Sequence, residues 1–367
     1  MAPLRSTLGR SLGRLLKVAR SVDLAGTGMG GAADHTQLNS SYKGGVGDRP
    51  LPFEGSGGNT SAGITPGNGY TYHVFTAPGN LVCTQAGSIE VFGVGGGGGS
   101  YTCSSSTVGA ASGGGGGGIF YITSYSCETG THPVVVGEGG VLVPNSAPSP
   151  ADTYNGGDTT LTDVTRSVTI TAKGGGWGGG FPQVGNPGGS GGGTGYGTPV
   201  KSATQPTQNG PTSGLSPGEI ASLTNYGNDS GSMDNNAPSG YGCGGGGGAG
   251  SAGGPGATTC NGGDGQPFPQ FAAPLISPDV PGSPTWSSVV GPTGLYGGGG
   301  GSTGGSGSVL GEGGSGGGRD AVDYPTSALA GVKHTGGGSG GQKNPGGNNP
   351  VGSTGGDGIL VVRYETP

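Results

Sequence analysis

The spacing of apolar and polar positions divides the chain into three parts. Over Leu4–Asp23 apolar residues recur every three or four positions: Leu4, Leu8, Leu12, Leu15, Leu16, Val18, Ala19 and Val22 fall on about half of a helical wheel, and Arg10, Arg14, Lys17 and Arg20 on the other half. This pattern predicts an amphipathic α-helix over residues 1–24. Gly9 and Gly13 weaken it by about 1 kcal/mol each, so a partner surface is expected to complete it. Residues 25–68 are rich in Gly, Ser, Thr and Asn without a period and predict a flexible linker. The body, 69–367, then opens with alternating stretches between Tyr70 and Val94, broken at Pro78-Gly79 and at Gly87, which predict antiparallel strands with tight turns.

The predicted strands run into or out of glycine. Val94 meets Gly95–Gly99, and Gly113–Gly118 leads into Ile119-Phe-Tyr-Ile-Thr-Ser-Tyr125; Pro133–Val136 follows. Ser167–Ala172 leads to glycines flanking Trp177, and Gly358 precedes Ile359-Leu-Val-Val-Arg-Tyr364. Further glycine runs lie at 191–193, 244–248, 297–301, 316–318 and 336–338. Strands at both ends of the body predict a clamp around a glycine-rich interior.

Composition explains why those runs matter. Of 367 residues 98 are Gly and 28 are Pro, while hydrophobic residues make up 29% and charged residues 9%, which excludes a conventional side-chain core over most of the length. So little charge also argues against the usual disordered class. Consecutive glycines at irregular intervals rule out collagen. Two readings stay open: a flexible coil, or a bundle of polyglycine-II-type extended helices, whose backbone makes no internal hydrogen bonds and can bond to neighbours on all sides. The repetition of runs favours the bundle, although glycine loses the most backbone entropy on ordering. The expected fold is therefore mostly β and irregular, with an N-terminal helix and short antiparallel strands framing a polyglycine-helix bundle with long loops.

Charge is uneven. Five of the 14 basic residues (Arg5, Arg10, Arg14, Lys17, Arg20) precede the first acid, Asp23, and the rest of the chain carries 9 basic against 20 acidic side chains, which argues against a nucleic-acid-binding body. No apolar run approaches the roughly 18 residues of a membrane span, and the N-terminus lacks the apolar core of a secretory signal. An organellar transit peptide and a membrane-surface helix remain alternatives to a docking helix for residues 1–24.

Chemical motifs are weak. Ser190, Ser315 and Ser339 each sit in a Gly-x-Ser-x-Gly match, but glycine abundance alone produces such matches and none lies on a predicted strand-to-helix turn. His35, His73, His132 and His334 have no metal-ligand spacing. No catalytic residue, metal or cofactor is expected. Cys83, Cys103, Cys127, Cys243 and Cys260 allow Cys243–Cys260 or Cys103–Cys127 disulfides, or free thiols. The segments 199–243, 264–296 and 319–334 carry isolated aromatics, Tyr226, Tyr241, Phe268, Phe271, Trp286 and Tyr324. On loops held by a rigid scaffold these are candidate receptor contacts; filling gaps beside bare backbone is the alternative.

The order of these pieces resembles the glycine-rich tail-fibre and appendage proteins of bacteriophages. The resemblance rests on Val134-Val-Val-Gly-Glu-Gly-Gly140, Val168-Thr-Ile-Thr-Ala-Lys-Gly-Gly-Gly176, Gly331-Val-Lys-His-Thr-Gly-Gly-Gly338 and, most tellingly, Gly355-Gly-Asp-Gly-Ile-Leu-Val-Val-Arg-Tyr364, while Leu8-Gly-Arg-Ser-Leu-Gly-Arg-Leu-Leu16 looks like the start of virion proteins from marine phages. It implies a non-enzymatic virion protein with a polyglycine-helix sandwich whose loops meet the host surface. Leu4, Leu8, Leu12, Leu15, Leu16, Arg10, Arg14 and Lys17 would dock it to other virion proteins of tail or capsid, as a homotrimer or singly in a partner groove. Its loops would bind a host surface glycan or outer-membrane protein. A purely structural capsid-surface fibre and a eukaryotic glycine-rich wall or shell protein are the alternatives. Long inserts at 144–166 and 199–243 depart from the family pattern.

Overall fold

In the computed structural model, which describes residues 52–101, 111–142, 152–180, 183–195, 207–208, 213–233, 242–256, 258–304, 309–323, 325–343 and 352–366, the alternating stretches are strands. In chain order they are β1 (Glu54–Ser56), β2 (Tyr70–Phe75), β3 (Gly79–Gln85), β4 (Gly87–Val94), β5 (Ile119–Cys127), β6 (Gly130–Val135), β7 (Thr159–Asp163), β8 (Val168–Ala172), β9 (Leu223–Tyr226), β10 (Gln266–Pro267), β11 (Leu295–Tyr296), β12 (Val322–Asp323), β13 (Gln342–Lys343) and β14 (Ile359–Glu365). The helix expected over 1–24 lies outside the described residues. Part of the expected linker belongs to the body: β1 pairs with β3, and Phe53 is buried among the strands because its ring packs on Tyr364. The insert at 144–166 likewise supplies a strand, β7.

Two five-stranded antiparallel sheets carry the core, in the orders β1-β3-β6-β7-β8 and β2-β14-β4-β5-β9. The tight turn after Gln85 passes the chain from β3 in the first sheet to β4 in the second. The expected clamp takes a definite form: β14 lies between β2 and β4, with Val362 opposite His73 on one side and Val91 on the other. Alternation then sorts the side chains. Leu81, Val134, Leu161, Val168 and Ile170 of the first sheet meet Ile89, Val91, Phe120, Ile122, Leu360 and Val362 of the second in one apolar layer. Each such side chain contributes about 1.5–3 kcal/mol on burial.

The other face of the second sheet is apolar too, and residues 266–296 cover it. Tyr72, Val74, Phe92, Val94, Ile119, Ile359 and Val361 pack against Phe268, Phe271, Ile276, Val280, Trp286, Val290 and Tyr296. Tyr296 comes from β11, which pairs with β10, and the others from the short helices Ala273–Ile276 and Ser283–Val290 and the 3-10 turns beside them, Pro269–Phe271 and Ser277–Asp279, with their caps Phe268 and Val280.

Strands β4, β6 and β8 end, and β5, β7 and β14 begin, beside glycine segments that are neither α-helix nor strand and whose glycines are almost all buried. Gly113–Gly118 shows how they associate. Gly114 and Gly117 donate backbone hydrogen bonds to Ser339 and Gly336 (2.9 and 2.8 Å), Gly115 and Gly118 to Gly176 and Lys173 (both 2.8 Å), and Gly116 to Gly247 (2.8 Å). In return Gly193 and Ser190 donate to Gly113 and Gly116, Gly98 and Gly95 to Gly115 and Gly118, and Gly300 to Gly114. One run is thus bonded to chain segments on six sides, and a given neighbour returns at every third residue. Such closeness requires the absence of a side chain: a Cβ on Gly114 would overlap the Gly98 carbonyl, and one on Gly117 the Gly95 carbonyl.

Candidate functional site

The glycine segments lead away from the sheets to a layer in which Ser100, Ala111, Gly179, Thr194, Cys243, Thr303 and Ser353 meet. The backbone N–H of Thr303 donates to Ala111 (2.9 Å), Cys243 to Thr303 (3.3 Å), Ser112 to Gly179 (3.3 Å) and Ser100 to Ser353 (3.0 Å). Residues 102–110, 196–206, 234–241, 305–308 and 344–351 connect segments that enter or leave this layer. Here hydroxyl groups add to the backbone bonds, since a hydroxyl can both donate and accept. The Ser302 hydroxyl accepts from the Gly113 N–H (2.9 Å) and donates to the Gly244 carbonyl (2.8 Å). The Thr194 hydroxyl accepts from the Gly244 N–H (3.2 Å) and donates to the Gly231 carbonyl (2.9 Å). Tyr101 and Trp177 are buried beside it, with the half-buried Tyr154 edge-on to Trp177 at 6.3 Å. The layer is a hydrogen-bonded base at one end of the glycine segments, and scaffold ends of this kind are where recognition usually sits.

A second polar cluster ties the turns of the sheets together. Buried Asp163, at the end of β7, accepts from the Tyr125 hydroxyl (3.0 Å), the Thr165 hydroxyl (2.6 Å) and Arg166 Nε (2.8 Å). Arg166 also reaches Glu219 (2.8 and 3.0 Å) and lies 4.6 Å above the Tyr125 ring. Burial alone would raise the Asp163 carboxyl, but the hydrogen bonds from Thr165, Arg166 and Tyr125 outweigh it and hold it at about 2. Burial likewise opposes ionisation of Glu219, and hydrogen bonds from Ser216, Arg166 and Ser126 prevail and lower it. Burial, then the Asp163 charge, pushes Tyr125 up, so its hydroxyl stays a donor. The cluster is a set of paired charges that fastens the helix Pro217–Ser222 onto β5. Sequence reasoning missed it, although Ser216-Pro-Gly-Glu219 carries the spacing of a capping box, which that helix forms.

The aromatic side chains expected to contact a receptor are placed differently. Phe268, Phe271 and Trp286 are buried, at 3%, 0% and 2% exposure, which corrects the expectation. They are the covering layer of the second sheet: Phe271 stacks on Phe92 at 4.6 Å, and Trp286 Nε1 donates to the His334 carbonyl (3.0 Å). Tyr226 is half-buried at the end of β9, edge-on to Phe268 at 5.5 Å. Apolar area on that sheet face outweighs any loop-like character of the sequence. Tyr241 and Tyr324 lie outside the described residues, as do Leu4, Leu8, Leu12, Leu15, Leu16, Arg10, Arg14 and Lys17.

The remaining chemistry-bearing residues serve the fold. Burial lowers His73, which sits between the Gly57 carbonyl (2.9 Å) and the Tyr364 hydroxyl (3.2 Å). Ser190 and Ser339 are buried within glycine segments. Cys83, Cys127, Cys243 and Cys260 are free thiols, so neither disulfide weighed from the sequence is present. Among the described residues no group of three or more His, Cys, Asp or Glu could hold a metal ion, and no helix is long and apolar enough to cross a membrane.

No curated protein matches the chain. A family described as a glycine-rich domain matches residues 71–365, from the second residue of β2 to the last of β14. All of the second sheet but Tyr70, the first sheet apart from β1, and the described glycine segments fall inside that span, and the chain belongs to this glycine-rich domain family.

Proposed function

We propose that the chain is a non-enzymatic bacteriophage virion protein, a tail fibre or appendage whose glycine body is a bundle of polyglycine-II helices. Residues 1–24 dock it to other virion proteins, and the segments at the glycine end bind a host surface glycan or outer-membrane protein. The observation that carries this reading is the Gly113–Gly118 run, bonded on six sides with a three-residue repeat. Threefold recurrence without internal hydrogen bonds is the geometry of polyglycine II. A rod of that kind is stiff, nearly free of side chains and dependent on its connecting segments for any specificity.

The test uses the full chain. Purified protein should bind host cells, and replacing residues 234–240 or 344–350 with Gly/Ser sequence of equal length should abolish binding without shifting the thermal midpoint. Unchanged binding by both variants would refute the assignment of recognition to this end. Removal of residues 2–24 should stop incorporation into particles, and normal incorporation would refute docking. Burial of Phe268, Phe271 and Trp286 favours a second reading, a capsid-surface fibre with a structural role alone. For that protein neither intact chain nor variant binds cells, while particle incorporation persists.

A further inference from the structure

Cys83 and Cys127 stand at the corner where the two sheets join. The chain leaves β3 in the first sheet shortly after Cys83 and enters β4 in the second at Gly87; it leaves β5 in the second at Cys127 and enters β6 in the first at Gly130. The registers interlock, with Cys83 opposite Gly130 and Gly87 opposite Cys127. The two crossings therefore lie side by side, and the Cys83 thiol reaches across to the backbone of Cys127. Cys83 Sγ lies 3.2 Å from the Gln85 carbonyl oxygen and 3.9 Å from that of Cys127, and both side chains belong to the same buried cluster. Both side chains are almost fully buried, at 3% and 1% exposure. The surrounding charges are Glu128, Asp163 and Arg166.

We propose that Cys83 and Cys127 form a disulfide that staples the two sheets together when the chain folds in the presence of an oxidised small thiol. The Cys83 thiolate attacks one sulfur of oxidised glutathione and releases one glutathione thiolate. The Cys127 thiolate then attacks the Cys83 sulfur of that mixed disulfide and releases the second. The protein dithiol is oxidised, glutathione disulfide is reduced to two glutathiones, and these take up the two protons lost by the cysteines. Burial pushes both thiols up, so the pair is slow to react once the corner has closed, and the bond forms during folding or local opening. The staple does not depend on what the glycine end binds.

Cleavage after glutamate locates the bond, because Glu54, Glu90 and Glu128 divide this region into fragments 55–90, with Cys83, and 91–128, with Cys103 and Cys127. The full chain and its Cys103→Ser variant are unfolded, refolded with reduced and oxidised glutathione, alkylated and digested without reductant. Both should yield fragment 55–90 linked to 91–128, and the linked protein should melt several degrees above the same protein after reduction. Recovery of Cys83 and Cys127 as alkylated thiols would overturn the proposal, as would loss of the linkage in Cys103→Ser.

Discussion

Replacing Gly114 by Ala tests whether backbone contact between glycine segments holds the body together. The new Cβ would overlap the Gly98 carbonyl, which is backbone and cannot rotate away, so the Gly95–Gly99 segment must move. Its movement strains two bonds between the runs, Gly98 to Gly115 (2.8 Å) and Gly95 to Gly118 (3.0 Å). Overpacking costs about 1–3 kcal/mol, and a buried backbone group left without its partner costs about 1–3 kcal/mol more. Against this, Ala reduces the freedom of the unfolded chain and returns about 0.4–1 kcal/mol. The net expectation is a loss of about 1–6 kcal/mol, a large share of the roughly 5–15 kcal/mol that stabilises a typical domain. Gly218 is the control: it lies in the helix Pro217–Ser222 with open space around it, so Gly218→Ala should stabilise by up to about 1 kcal/mol. Urea unfolding of both variants, followed by fluorescence and circular dichroism, measures the difference. A Gly114→Ala chain within about 0.5 kcal/mol of the parent would refute the claim that glycine is needed for contact rather than for flexibility.

Acid should weaken the body in a defined window. The folded carboxyl of Asp163 sits at about 2 against an ordinary value of 3.8, so its contribution is present above the ordinary value and lost as pH falls through the folded one. About 2 kcal/mol should therefore vanish between about pH 4 and pH 2 in urea titrations, and Asp163→Asn should shrink that slope. Arg166→Met strands the carboxylates of Asp163 and Glu219 and should cost about 3 kcal/mol in the same assay. Trp286→Ala empties a buried site on the covered face of the second sheet and should cost about 3–5 kcal/mol, while cell binding by the fraction that remains folded stays unchanged.

The strands β2, β3, β4, β5 and β8 were legible because each pairs alternation with a glycine or proline stop, and β14 because an unbroken apolar run follows Gly358. β1 and β7 were not, since Glu54–Ser56 carries no apolar residue and Thr159–Asp163 only one, Leu161; each is placed by the strands it pairs with, β1 by β3 and β7 by β6 and β8. Glycine runs announced themselves by composition, yet which segment lies against which is set by backbone bonds that no side chain records. The aromatic insert 266–296 read as exposed loop because its covering role depends on the apolar outer face of a sheet assembled from β2, β4, β5 and β14. The Asp163–Arg166–Glu219 cluster joins residues 53 positions apart between Arg166 and Glu219, beyond the reach of any local pattern except the capping box.

The position of β14 has a consequence for the time course of folding. Both of its neighbours, β2 and β4, lie before Gly95, so the middle of the second sheet stays vacant until the far end of the glycine body arrives; Thr71 and Thr366, 295 positions apart, share a hydrogen bond across that closure. The intervening glycine segments gain their bonds only collectively, so they offer little early reward for closing so long a loop. Assembly of this kind has a high contact order and belongs with the slow folders. Until β14 is seated, β2 and β4 expose apolar sheet edges, and the protein spends that interval open to strand exchange with other copies.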